Sequence, residues 1–294
     1  MTVQTSAASS LQAEGGLRVG VMQGRLSPRP AGKLQEFPRR SYAGEFEKAA
    51  RIGFHSIEWI FEAPGFEQNP LWSPTGRAEI RSLIAESGVR VQSVCADYFM
   101  LHRLAGEAEA ARAEHCEVLI QLIGAAHEVG ADRILLPLLE TSAVDTPELQ
   151  REVVASLRHV APVAEQLGVT LGLELEIPGA AYARLIEEVS CSHVRAYYDT
   201  GNSTAQGLDI AQDIEPLLPW LCAVHVKDRV CGGGSRPLGT GDANFQGFFP
   251  RLLGAGFCGD FVLQHYFDEH PEIEAERSLS FVQQLIESAK AEAA

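Results

Sequence analysis

Eight short apolar runs, separated by longer amphipathic stretches, constrain this sequence more than any other feature. They read LRVGVMQG (17–24), HSIEWIFE (55–62), VRVQSVCAD (89–97), DRILLPLLE (132–140), VTLGLELEI (169–177), HVRAYYDT (193–200), LCAVHVKD (221–228) and GDFVLQHY (259–266). Helical patterns such as EHCEVLIQLIGAAHEVGA and PELQREVVASLRHVAPVAEQLG lie between them. Gly53, Gly88, Gly130 and Gly168 stand just before the next run. There a helix ends most cheaply on a left-handed residue, which Gly accepts without a Cβ penalty. Alternation of strand and helix predicts a parallel sheet. Eight such units in 294 residues predict an α/β chain closed as a single (β/α)8 TIM barrel, the catalytic domain, over residues 17–294. An open doubly wound sheet is the alternative, and its nucleotide-binding version expects a GxGxxG turn that does not follow the first run.

Composition narrows the function classes. Hydrophobic residues make up 46% of the chain, enough for a large core. No apolar run approaches the roughly 18 residues of a membrane span, so no membrane is expected as a partner. A formal net charge of −15 opposes binding to a phosphate backbone, so no nucleic acid is expected either. The charge fits an enzyme of a small molecule. Residues 1–16, MTVQTSAASSLQAEGG, are small and polar, lack the regions of a signal peptide, and are expected to form a disordered tail. The six cysteines contain no CxxC pair, which points to reduced thiols in the cytoplasm rather than to disulfides or a cysteine-rich zinc site. A homodimer is compatible with all of this.

Strand parity selects the polar residues that matter. Side chains alternate along a strand, so one face of each barrel strand looks toward the helices and the other inward. In LGLELEI, Leu171, Leu173, Leu175 and Ile177 share one face; Glu174 and Glu176 share the inner one. In SIEWIFE, Ile57, Trp59 and Phe61 pack outward, leaving Glu58 and Glu62 inside. In AVHVKDR, His225, Lys227 and Arg229 fall on the inner side. Active sites of this fold lie at the C-terminal strand ends. Glu174, Asp199, His225 and Gln264 sit near those ends on the fifth to eighth runs. Neighbouring strands are about 4.8 Å apart, so these donors can surround one ion. Carboxylates, one imidazole and one amide oxygen suit Mn²⁺, Mg²⁺ or another borderline divalent ion such as Co²⁺ or Zn²⁺. Each residue also has a plainer reading: Asp199 ahead of TGNS is the residue type that caps a helix, and Glu176 is equally a solvated acid.

The strand-end Glu of LELEIP, the YYDTGN, the VHVKD and a polar residue on the last strand together resemble the xylose-isomerase-like barrel superfamily. The opening GVMQGRLSP and the LGTGDANF loop resemble its sugar phosphate isomerase/epimerase branch. The resemblance spans about residues 17–290. It implies a divalent metal ion held by Glu174, Asp199, His225 and Gln264, the last departing from the family's usual Glu. In the family's epimerases, two metal-bound Glu residues flank the substrate carbon, one removing a proton and the other returning it. Gln264 can hold a metal through its carbonyl oxygen but carries no proton.

The activity so implied is isomerisation or epimerisation of a keto-sugar or sugar phosphate. A proton is abstracted next to a carbonyl, and the metal stabilises the enediolate. Glu174 is the expected base, with Lys227, Glu140 or Glu176 as the second proton carrier. Substrate contacts are expected from Arg25, Glu58, Asp97, Glu176, Asn202 and Arg229; Arg25, Lys227 and Arg229 suit an anionic group. Asn202 stands where many members carry a substrate-binding His. Two other activities fit the same residues: a dehydratase or lyase on a polyol or keto-sugar, and a sugar-binding barrel without turnover.

Overall fold

A computed structural model of the chain describes residues 18–28, 35–266 and 269–293. The expected tail at residues 1–16 lies outside the described residues. Eight strands close into one parallel barrel: β1 (Val19–Met22), β2 (Ser56–Ile60), β3 (Arg90–Cys95), β4 (Arg133–Leu138), β5 (Thr170–Leu175), β6 (Val194–Asp199), β7 (Leu221–Val226) and β8 (Asp260–Leu263). Their order around the barrel is β1-β8-β7-β6-β5-β4-β3-β2, so each strand lies beside its sequence neighbours and β8 closes onto β1. The outer ring contains α1 (Tyr42–Ile52), α2 (Pro74–Ser87), α3 (Glu109–Val129), α4 (Pro147–Leu167), α5 (Gly179–Val189), α6 (Thr200–Ala205), α7 (Phe245–Gly254) and α8 (Pro271–Ala293). Among the described residues, no helix is long and apolar enough to cross a membrane.

Local sequence explains where these elements start and stop. Ser73 and Thr146 accept hydrogen bonds from the first turns of α2 and α4, and each is followed by a Pro at a position whose N–H would be unpaired anyway. The four glycines named above end α1, α2, α3 and α4 at φ 102°, 73°, 83° and 67°. Helix α4 presents Val153, Val154, Leu157, Val160, Ala161 and Ala164 to the barrel, the three-and-four spacing of an amphipathic helix. Ile57, Trp59 and Phe61 are all buried, as parity required, and the Trp59 indole donates to Asn69 at 2.9 Å.

The strands end earlier than the apolar runs. Strand β5 stops at Leu175, so Glu176 is not a strand residue but lies half-buried in the bend beyond. Strand β7 stops at Val226, and Asp228–Arg229 pairs antiparallel with Ser235–Arg236 in a small ribbon above it. Strand β4 stops at Leu138; Glu140 then opens a single 3-10 turn at φ 50°, with its side chain in solvent. Glu62 lies past the end of β2 and accepts from Phe37 N at 3.2 Å and from Arg39 at 3.3 Å.

The barrel interior is layered. At its floor, Arg133 of β4 crosses to Asp260 of β8 at 2.7 Å; the two strands stand opposite each other in the ring. Above lies a layer built on Glu58, Ser93, Tyr197 and His225. Gly172 of β5 is required there: a Cβ at this position would meet the Tyr197 ring at 3.0 Å. The absence of a side chain on β5 lets Tyr197 turn into the barrel.

Candidate metal centre

Asp199 ends β6 and is in register with His225 of β7, so parity points both side chains into the barrel. Glu174 joins them from β5: one ligand atom from each of Glu174, Asp199 and His225 lies within 4.8 Å of the others, and all three residues are buried. The two readings of Asp199 turn out to use different atoms. Its Oδ1 accepts from Asn202 N at 2.8 Å and caps α6. Its Oδ2 is buried with no hydrogen-bond partner, 3.8 Å from His225 Nδ1 and 3.7 Å from Lys227 Nζ.

His225 shows the same division of labour. Nε2 lies 2.5 Å from Glu58 Oε1, while Nδ1 is buried and unpartnered. Gln264 follows β8, and its backbone N–H extends the ladder to Val226 O at 3.2 Å. Its Nε2 donates to Gln35 Oε1 at 3.1 Å and approaches Met22 Sδ at 3.4 Å; its Oε1 is buried without a partner. Buried polar atoms are nearly always hydrogen-bonded, so three exceptions at the tops of β6, β7 and β8 call for a common partner. When His225 is neutral with its proton on Nε2, all three are acceptors, and a cation in place of the second ring proton satisfies them. The donor set of oxygens and one imidazole fits a divalent ion such as Mg²⁺ or Mn²⁺. It would be held by Glu174, Asp199 and His225, with Gln264 at the fourth strand.

Electrostatics separate the two strand-end acids. Burial, together with the Asp199 charge beside it, pushes Glu174 up to about 8. Burial opposes the charge of Asp199 too, but Lys227 and His225 outweigh it and hold this carboxyl well below the usual range. For His225, burial acts downward, yet the Glu58 charge and the Asp199 and Glu58 contacts carry it up to about 10. Burial and the neighbouring charges thus set the two acids apart, one raised and one lowered.

Around this centre the structure gathers several, though not all, of the residues expected from sequence. Asn202 Nδ2 donates to Glu174 Oε1 at 2.9 Å, and its Oδ1 accepts from Arg229 Nη1 at 3.2 Å and lies 3.5 Å from Lys227 Nζ. The Arg229 guanidinium is further held on Gly233 O at 2.8 and 3.0 Å. On the other side, Gln35 links three residues: it accepts from Arg25 at 3.4 Å and from Gln264, and donates to Asp97 Oδ2 at 2.7 Å. Burial pushes Asp97 up, and the Cys95 thiol also donates to it at 3.2 Å. Asp228, fully buried, accepts from Gly239 N and Gly241 N at 2.9 Å each and from Ala243 N at 3.2 Å, which ties the Gly-rich loop to the top of β7.

Three expected residues stand apart. Glu140 is exposed on its 3-10 turn, and Glu176 makes no hydrogen bond to the cluster. Glu58 is 1% exposed and lies beneath His225, which denies it substrate contact. Sequence reasoning passed over Tyr197, Ser93 and Gln35. Tyr197 had a signal, since it is two residues before Asp199 and shares its face. Gln35 had none, since it sits in an aperiodic loop.

Comparison with known proteins places these features in a family. The family model described as xylose isomerase-like TIM barrel matches residues 46–285. The L-ribulose-5-phosphate 3-epimerase UlaE of Escherichia coli is 26% identical over 247 residues, covering 80% of this chain and 86% of that protein. The 2-epi-5-epi-valiolone 7-phosphate 2-epimerase of an Actinoplanes species is 29% identical over 241 residues, covering 81% and 83%. Among solved structures, an L-ribulose 3-epimerase superposes with a TM-score of 0.76 at 20% identity over 95% of this chain and 97% of that one, a likeness of fold.

Proposed function

This chain belongs to the xylose isomerase-like TIM barrel family, and from that premise we propose that it is a divalent-metal-dependent epimerase or isomerase of a keto-sugar phosphate. The observation that carries the reading is the pair of buried, unpartnered acceptors Asp199 Oδ2 and His225 Nδ1 beside the Glu174 carboxyl, with Gln264 Oε1 likewise unpartnered past the end of β8. A bound divalent ion supplies positive charge where negative charge develops on oxygen next to the reacting carbon.

The chain's own residues do the rest. Glu174, on the inner face of β5, is the base that takes the proton from the carbon beside the carbonyl. Asn202 holds Glu174 Oε1 and so fixes the direction of the carboxyl. Lys227 is the second proton carrier. Its ammonium lies 3.7 Å from Asp199, it belongs to the cluster from which Glu140 is absent, and Gln264 carries no proton to return. Arg229 and Arg25 flank the centre from two sides and are suited to the phosphate of the substrate. Two curated relatives named as epimerases of phosphorylated compounds support that choice.

The test is metal analysis followed by turnover of the loaded and stripped protein on keto-sugars, their phosphates and inososes in deuterated water. Inversion or isomerisation with deuterium at the reacting carbon, faster on phosphates, is the expected result. Net loss of water would make the protein a dehydratase, and binding without exchange would make it a sugar-binding barrel.

A further inference from the structure

Glu58 is an acid of the barrel interior that the proposed chemistry leaves unused, and its surroundings show what it does. It lies on β2, across the ring from β6, and is 1% exposed. Both of its oxygens are hydrogen-bonded inside the barrel. Oε1 faces His225 Nε2 at 2.5 Å; Oε2 accepts from the Tyr197 hydroxyl at 2.7 Å and from Ser93 Oγ at 2.6 Å. The Tyr197 ring also meets the His225 ring edge-on, 4.7 Å between centroids at 63°. The imidazole is thus held by a carboxylate at one nitrogen and by an aromatic ring at its side.

We propose that Glu58 is a positioning residue for the metal ligand His225: it keeps the proton on Nε2 and aims the Nδ1 lone pair at the position between Asp199 and Glu174. An imidazole carries one proton in its neutral form, and a carboxylate at Nε2 selects the tautomer with the proton there. That leaves Nδ1 as the ligand atom, and Nδ1 is the atom found buried and unpartnered 3.8 Å from Asp199 Oδ2. Carboxylates behind metal-bound imidazoles set ring orientation and raise ligand basicity, and losing one weakens metal affinity roughly 10- to 100-fold. Tyr197 and Ser93 serve the same end one step back, since they fix the carboxylate that fixes the ring. Gly172 belongs to the same device, because its missing side chain gives Tyr197 the space. The proposal rests on the metal-dependent reading of the site.

The experiment measures Mn²⁺ affinity by calorimetry at one pH for the full-length protein and for Glu58→Gln, Tyr197→Phe and Glu174→Gln, with Co²⁺ absorption spectra of each. Glu58→Gln keeps the shape but removes the charge. It is expected to lose roughly 10- to 100-fold in affinity and to shift the Co²⁺ spectrum. Tyr197→Phe removes one of the bonds on Glu58 and is expected to fall between wild type and Glu58→Gln. Thermal unfolding in chelator controls for general damage, which lowers the melting temperature without changing the Co²⁺ spectrum of the folded fraction. Should Glu58→Gln not fold, Tyr197→Phe decides: wild-type affinity and spectrum in that variant overturn the proposal. If wild type binds Mn²⁺ and Glu58→Gln binds it equally well, the positioning role is wrong and the metal site stands. If wild type binds no divalent ion while Glu174→Gln behaves identically, the site reading itself fails and takes the proposal with it.

Discussion

At the floor of the barrel a buried charge meets its opposite; at the top, acceptors meet nothing. Arg133 is bonded to Asp260 at 2.7 Å and Asp132 at 3.1 Å, and the Gln92 amide donates to Asp132 as well. What remains unpaired there is mixed: one donor, Arg133 Nη1, and one acceptor, Gln92 Oε1. At the strand tops, Asp199 Oδ2, His225 Nδ1 and Gln264 Oε1 are left as acceptors, while Gln23 Nε2 and one nitrogen of His265 are unpaired donors nearby. Both regions bury polar groups in the same barrel, at similar desolvation cost. The comparison teaches that buried polarity alone does not mark a site. A structural cluster closes on itself in opposite charges. The proposed binding cluster leaves the acceptors Asp199 Oδ2 and His225 Nδ1 beside Glu174, and their sign is the one a cation answers.

The largest expected effect breaks the top cluster. Asp199→Ala removes the carboxylate between Lys227 and His225, and metal affinity should fall by more than about 100-fold, beyond the loss typical of outer-shell partners, with turnover lost. Calorimetry reads the affinity. Chelator-treated protein should show only the cap cost of about 0.5–2 kcal/mol in denaturant unfolding. Unchanged affinity would leave Asp199 as a helix cap and nothing more.

The floor should respond in the opposite currency. Arg133→Met leaves Asp260 buried and uncompensated, and should cost about 3–5 kcal/mol of stability while metal affinity holds. Adding Asp260→Leu should recover most of that, because a buried pair replaced by apolar residues is often neutral. A parallel drop in metal affinity in the single variant would show that the two ends are not independent.

Gln264→Glu sharpens the comparison from within the top cluster. A third carboxylate at the site should raise metal affinity about 10-fold, given the strength of charge-assisted over neutral contacts, and supply a proton carrier besides Glu174 and Lys227. Deuterium exchange at the substrate carbon should then speed up. If wild type already exchanges and inverts as fast as the variant, the Gln at this position does not limit the chemistry.

The smallest effect comes from His265, beside Gln264 in sequence but unlike it in role. Both ring nitrogens are buried without partners, and burial, with Arg25 nearby, pushes the imidazole down to about 3. The unfolded chain takes up a proton as pH falls below about 6.5 while the folded chain does not. Stability should therefore fall with decreasing pH, by about 1.4 kcal/mol per unit across that window. His265→Leu should remove this slope, so the two proteins should diverge by about 1 kcal/mol near pH 5.5 in denaturant titrations. An unchanged slope would mean that His265 finds a partner.

The barrel was legible because its evidence is local. Apolar runs, helical periodicity and the C-cap glycines Gly53, Gly88, Gly130 and Gly168 are properties of neighbouring residues, and parity within one strand decides which side chains face inward. That logic assigned Glu174, His225 and Glu58 to the interior, and strand-end position added Asp199. It could not decide their height. Parity names a face, but depth follows from strand stagger and from shifts such as the one between Ile57 and Glu58, where β2 changes register against β3. Glu58 therefore looked like a substrate contact, while closure of the ring set it under His225. Glu140 looked like a strand-end acid, while β4 ended two residues earlier and a turn at φ 50° carried it into solvent. Gln35 had no periodic signal, yet it bridges Arg25, Asp97 and Gln264 because a loop from one strand folds over two others. The sequence by itself determined the elements, their faces and the residue types that converge. Which atoms meet, and which are left unmet, was decided only when eight strands closed and non-local distances became fixed.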